Sequence, residues 1–159
     1  MRRGMGPALA LREMIPPITA RMASGATLRA WDFKQKRALV IAFLHADCAA
    51  CRAWLAQLAS RAAVLAEHDA VALVIYSQTP PRDAEALPPE ILTAADLTGN
   101  SQEAFLGRDA FSSAGLNRVG AFVADRYGEL FAQWLSRDAD GLPPTMEVFS
   151  ALWQIQIQC

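Results

Sequence analysis

The sequence predicts an α/β domain, a sheet flanked by helices and built around a βαβ unit. Three observations predict it. Ala38 to Leu44 (ALVIAFL) and Val71 to Tyr76 (VALVIY) are short, unbroken apolar runs of the kind found in strands buried on both faces. Between them, Cys48 to Glu67 places Trp54, Leu55, Leu58, Ala62, Leu65 and Ala66 at helical spacing. Further on, Ala121 to Ala124 and Glu129 to Trp134 flank Asp125-Arg126-Tyr127-Gly128, which reads as a β-hairpin with glycine in the turn.

A chain of 159 residues fits one domain spanning 1–159, and 53% hydrophobic types against 19% charged ones suffice for a core. Residues 1–14 are expected to be a flexible N-terminal extension. Within it, Met1-Arg2-Arg3 and the apolar stretch Gly4 to Leu11 imitate a signal peptide. Pro7 interrupts the stretch and Arg12-Glu13 ends it short of the usual ~15–30 residues, so a mature N-terminus and a cytoplasmic location are expected. Proline pairs at 16–17, 80–81, 88–89 and 143–144 punctuate the periodic segments. Asp47 stands where the N-cap of the central helix should be, and His68 ends that helix, where a cation complements the dipole. Thr145 to Ile155 is expected to form a closing helix just after Pro144. Trp54, Trp134 and Trp153 occupy apolar positions of periodic segments and are expected in the core, and Trp31 is expected to cover the sheet edge.

Charge and length exclude several classes. The net charge is −1, which gives no electrostatic footprint for nucleic acid or a membrane surface. No apolar run approaches the ~20 residues of a membrane-spanning helix. Three cysteines are too few for a disulfide framework.

Two of those cysteines form Cys48-Ala49-Ala50-Cys51, a CxxC at a strand-to-helix junction. A thiol in the first turn of a helix meets unpaired backbone N–H groups and the positive end of the dipole, both of which favour thiolate. The two-residue spacer sets Cys51 about one turn along, within reach of a disulfide. Cys48 is then the exposed nucleophile and Cys51 the buried resolving thiol. Two other readings compete. Structural zinc wants four ligands, and only the scattered His45, His68 and Cys159 remain. Two cysteines packed as small hydrophobes would have no redox role. His45, three residues before Cys48, could stabilise a thiolate if protonated or be a solvated loop residue. Cys159 reads as a free tail thiol.

These residues resemble the thioredoxin-like redoxins, the group that includes peroxiredoxin-type and TlpA/ResA-type thiol–disulfide oxidoreductases. Ile15-Pro16-Pro17-Ile18 stands where the family has its entry motif A-P-x-F, and Ser24-Gly25 with Trp31 to Lys36 resembles its lead-in. Leu39 to Cys51 resembles the strand and active-site turn. Ile91-Leu92 to Asp96, Phe105-Leu106-Gly107 and Phe122 to Gly128 (FVADRYG) resemble later family motifs. The resemblance implies a thioredoxin-like fold with a central mixed β-sheet, Cys48 attacking and Cys51 resolving. It implies a protein or small-molecule disulfide as substrate, a partner dithiol as reductant, and neither organic cofactor nor metal.

Spacing within the group favours a disulfide oxidoreductase over a thiol peroxidase. Peroxiredoxins carry P-x-x-x-T-x-x-C, and here Ile41 holds the proline place and His45 the threonine place. Arg118 lies in the region of the peroxiredoxin arginine, which keeps a peroxidase using Cys48 as the alternative. A binding domain with decayed chemistry is a further one. Three positions depart from the thioredoxin pattern: Asp47 replaces the tryptophan before the first cysteine, Val119 the cis-proline, and Ala42 the buried acid.

Overall fold

The structure, a computed structural model, describes residues 9–81, 86–112 and 115–158. Its elements run β1 (Thr19–Arg21), β2 (Thr27–Arg29), β3 (Ala38–Leu44), α1 (Ala49–Ala59), α2 (Ala62–Glu67), β4 (Ala70–Tyr76), β5 (Ile91–Ala95), α3 (Asn100–Leu106), β6 (Phe111–Ser112), β7 (Gly115–Leu116), β8 (Val119–Ala124), β9 (Leu130–Ser136) and α4 (Thr145–Gln158). Seven strands form one sheet in the order β2-β1-β5-β4-β3-β8-β9, and β6 pairs with β7 apart from it. β3, β4 and β5 are parallel, with Ala38 opposite Ala70 and Ala72 opposite Ile91. β8 lies antiparallel to β3, with Phe43 opposite Gly120.

The two apolar runs become the central strands because every residue of β3 and β4 is buried. Alternation divides β3 between two cores. Val40, Ala42 and Leu44 face Trp54 and Leu58 of α1, Leu65 of α2, and Val148 and Leu152 of α4. Leu39, Ile41 and Phe43 face Phe105 and Leu106 of α3. On that second face the rings of Phe43, Phe105 and Phe122 pack with centroids 5.0–6.0 Å apart, a spacing that favours tilted and edge-on aromatic contacts.

The predicted hairpin forms as β8 and β9, with Gly128 at φ +84° in the turn. Asp125 holds that turn, its Oδ1 accepting the N–H groups of Tyr127 and Glu129 at 2.9 Å. The closing helix forms as α4, extended to Gln158.

One helix and three tryptophans differ from expectation. The helix expected over Cys48 to Glu67 is two helices: Ser60 donates its hydroxyl to the Gln57 carbonyl, and Arg61 leaves helical geometry at φ −121°, ψ 29°. Trp153 is 56% exposed rather than in the core, because Val148, Phe149, Leu152 and Ile155 form the buried stripe of α4 and Trp153 lies off it. Trp54 is buried, donating Nε1–H to the Pro143 carbonyl at 2.7 Å, while Trp134 is half-buried on β9. Trp31 does not cover the sheet: it is 68% exposed in a 3-10 turn over Ala30–Phe33, with Lys34 Nζ 4.1 Å from its ring centre.

Part of the expected N-terminal extension is tied down. Arg12 N–H donates to Leu130, Leu130 N–H to Glu13, and Ile15 N–H to Gly128. Met14 and Glu129 form an antiparallel bridge, and the Arg12 guanidinium sits 4.3 Å over the Phe131 ring. Residues 1–8 and Cys159 lie outside the described residues.

Candidate active site

β3 ends at Leu44, and a four-residue loop, His45 to Cys48, leads into α1. The carboxyl ends of β3, β4 and β5 and the start of β8 share this edge of the sheet, the place where open α/β sheets bind ligands. Cys48 itself, with extended backbone at φ −145°, ψ 115°, is the N-cap of α1. Its sulfur accepts the Cys51 N–H at 3.1 Å, so a thiol rather than the expected Asp47 carboxylate satisfies one of the unpaired donors of the first turn. Asp47 is exposed one residue earlier, outside the cap position.

The two thiols have opposite environments. Cys48 is half-exposed, whereas Cys51 is 1% exposed and packs among Trp54, Leu55 and Leu58. Burial pushes the Cys51 thiol up to about 12. Its hydrogen bond to Cys48 and the proximity of the Cys48 charge push the same way, while a backbone hydrogen bond from His45 opposes them. Cys51 is therefore the thiol of the pair that holds its proton.

His45 acts on the pair through its backbone; its ring is half-buried, and burial lowers its pKa, which favours neutral imidazole. Val119, in the position expected for a cis-proline, begins β8 fully buried opposite Ser136, and every peptide bond among the described residues is trans. Arg118 precedes it on this edge, and its Nη1 donates to the Leu106 carbonyl at 2.9 Å. Ala42 is fully buried in mid-strand. His68 stands at the C-cap of α2, its ring edge-on to Trp153 at 6.4 Å. The sulfur cap and the His45 backbone contact escaped sequence reasoning, since both depend on the path of a loop without a distinctive residue pattern. Among the described residues no group of three or more His, Cys, Asp or Glu is placed to hold a metal ion, and no helix is long and apolar enough to cross a membrane.

No family model and no curated protein matches the sequence. Solved structures match its shape. Peroxidoxin BcpB of Mycobacterium tuberculosis is 16% identical with a TM-score of 0.76, covering 91% of this chain and 97% of that one. AhpC of the same organism is 15% identical with a TM-score of 0.75, covering 94% of each chain. A DsbE-type thiol:disulfide interchange structure from Chlorobium tepidum is 18% identical with a TM-score of 0.61, covering 91% of this chain and 99% of that one. The chain has the thioredoxin-like fold. That agrees with the fold expected from the sequence, and the shared shape runs over nine-tenths of the chain. In this thioredoxin-like fold the CxxC pair stands at the carboxyl end of the central strand.

Proposed function

We propose that the chain is a thiol–disulfide oxidoreductase in which Cys48 attacks and Cys51 resolves. One observation carries the reading: a half-exposed sulfur at a helix N-terminus accepts the N–H of a second, buried cysteine that retains its proton. The similar structures named for peroxidoxin and thiol:disulfide interchange activity support the same general chemistry.

Cys48 thiolate attacks one sulfur of a substrate disulfide, forms a mixed disulfide and expels the other sulfur as thiolate. With Cys48 bonded, the Cys51 thiol loses the hydrogen bond and the charge that helped hold its proton. Cys51 then gives up that proton to the first expelled substrate thiolate and attacks the Cys48 sulfur. The second substrate thiolate leaves and the Cys48–Cys51 disulfide forms. The substrate, a protein or small-molecule disulfide, has gained two electrons and the pair has lost two. An external dithiol restores the pair, so the cycle needs no organic cofactor.

The test is dithiothreitol-driven reduction of a disulfide substrate. Cys48→Ser is expected at background, and Cys51→Ser is expected to accumulate a mixed disulfide. Equal rates in wild type and both variants would overturn the reading. A peroxidase remains the second reading, on the higher TM-scores of BcpB and AhpC and on Arg118 at the same sheet edge. Rapid oxidation of Cys48 by micromolar hydrogen peroxide, without disulfide reductase activity, would favour it.

A further inference from the structure

At the other end of β3 lies a cavity the dithiol chemistry does not use. Its volume is about 350 Å³, inside the range of about 300–1,000 Å³ typical of small-molecule sites. Ile18, Ala30 and Leu39 form its buried walls, with half-buried Ile15 and Phe33 beside them. Leu39 is five residues before Leu44 on one strand, so the cavity lies roughly 17 Å from the strand end that leads into the Cys48 loop, at about 3.3 Å per residue.

Its rim is basic. Arg29, Lys34, Arg37 and Arg126 all line it. Arg37 is shared with Asp69 at 3.5 Å and Lys34 lies over the Trp31 ring. Arg29 and Arg126 are exposed, and among the described residues neither is in an ion pair; Arg126 only rests beside Tyr127, 5.3 Å from its ring centre. The one acid in the lining is Asp125, whose Oδ1 is committed to the backbone N–H groups of its own turn.

The walls are also held in place. Ile15 N–H donates to Gly128, and Gln35, at a left-handed φ of +68°, donates its N–H to the Arg126 carbonyl. A Cβ on Gly128 would come within 3.1 Å of Met14 Cε, so glycine lets the N-terminal segment close one side. Exposed Met14 and Trp31 lie at the mouth, adding apolar surface that a ligand would cover.

We infer that this cavity binds a small amphipathic carboxylate, its apolar body against Ile18, Ala30 and Leu39 and its anionic head between Arg29 and Arg126. Burial of the tail supplies affinity, and unpaired guanidinium groups at the rim select an anion over a neutral ligand of the same shape.

The experiment titrates the intact chain with octanoate and, separately, with octan-1-ol by calorimetry, and maps both by amide chemical shifts. Octanoate is expected to bind about tenfold or more tighter than octan-1-ol. Its shifts are expected to centre on residues 15–19, 30–34 and 125–128 and to leave 45–51 unmoved. Arg29→Gln with Arg126→Gln, both at exposed positions, is expected to bring octanoate down to the level of the alcohol while leaving the melting temperature unchanged. Ala30→Leu, filling the cavity, is expected to weaken both ligands. Absence of octanoate binding, equal binding of the alcohol, shifts centred elsewhere, or an unaffected double arginine variant would each overturn the inference.

Discussion

Cys51 is tied to Cys48 in two ways: its backbone N–H reaches the Cys48 sulfur at 3.1 Å, and the Cys48 side chain is, after burial, a cause that raises the Cys51 thiol. The capping interaction of α1 and the cysteine pair are therefore one structure. Burial is the main cause that pushes the Cys51 thiol up to about 12, and the bond and charge of Cys48 add to it. Removing Cys48 leaves burial and the opposing His45 backbone contact. In Cys48→Ala, Cys51 is expected to titrate below about 12 but above the ordinary 9.0, followed by ultraviolet thiolate absorbance against pH. An unchanged value would mean that Cys48 contributes nothing to holding the proton.

The same proton links folding to pH. A cysteine raised in the folded state keeps its proton while the unfolded chain releases it, so stability is fully present below the unfolded value and lost as pH rises. The window runs from 9.0 to about 12. Urea denaturation at stepped pH is expected to show wild type losing stability more steeply across that window than Cys51→Ala. Parallel slopes would count against a buried, protonated Cys51.

Much of this architecture was legible in the sequence, for physical reasons that differ by element. β3 and β4 were visible because strands covered on both faces must be apolar at every position. The β8–β9 turn was visible because Gly128 marks it and Asp125 can tie it. The break at Arg61 was hidden, since Ala62, Leu65 and Ala66 continue the helical period on the far side of it. β1 and β2, three residues each, are too short to show alternation. At the site, Cys48 and Cys51 were legible from spacing, while the sulfur cap was not, because cysteine is absent from the usual set of capping residues. The cavity draws its walls from segments as far apart in sequence as Met14 and Gly128, and only the fold brings them together.

Asp96 offers an acid-side test of the same sheet edge. It follows β5, is 5% exposed, and accepts from Thr98 N–H and hydroxyl on Oδ1 and from Ser101 N–H on Oδ2. Burial alone would raise its pKa, but the hydrogen bonds from Thr98 and Ser101 outweigh it and hold the carboxyl below its ordinary 3.8. A lowered carboxyl contributes stability above the unfolded value and loses it as pH falls through the folded one. Asp96→Asn is expected to cost about 1–3 kcal/mol at neutral pH, since it discharges an acceptor that serves the buried Ser101 N–H and the two Thr98 donors. The difference from wild type should shrink as urea melts are taken into acid below pH 3.8; a constant difference would assign the loss to packing instead of charge.

Gly120 tests how closely the two faces of the central sheet are fitted beside the site. It pairs with Phe43 on β3, one residue after the buried Val119. A Cβ there would come within 2.6 Å of Leu106 Cδ2, 3.0 Å of the Trp134 carbonyl oxygen and 3.1 Å of Phe122 Cε1. Leu106 could turn aside, but the Trp134 oxygen is backbone of the paired strand β9 and cannot move without disturbing the ladder. Phe122 is held by Phe43 and Phe105 on either side. Relief must therefore come from a shift of β8, and overpacking of that kind costs about 1–3 kcal/mol. Gly120→Ala is expected to lower the denaturation midpoint by that amount, with an unchanged urea m-value if the fold survives. If it instead stabilises the chain, as removing a glycine from a strand would in open space, the strand spacing given by these contacts is wrong.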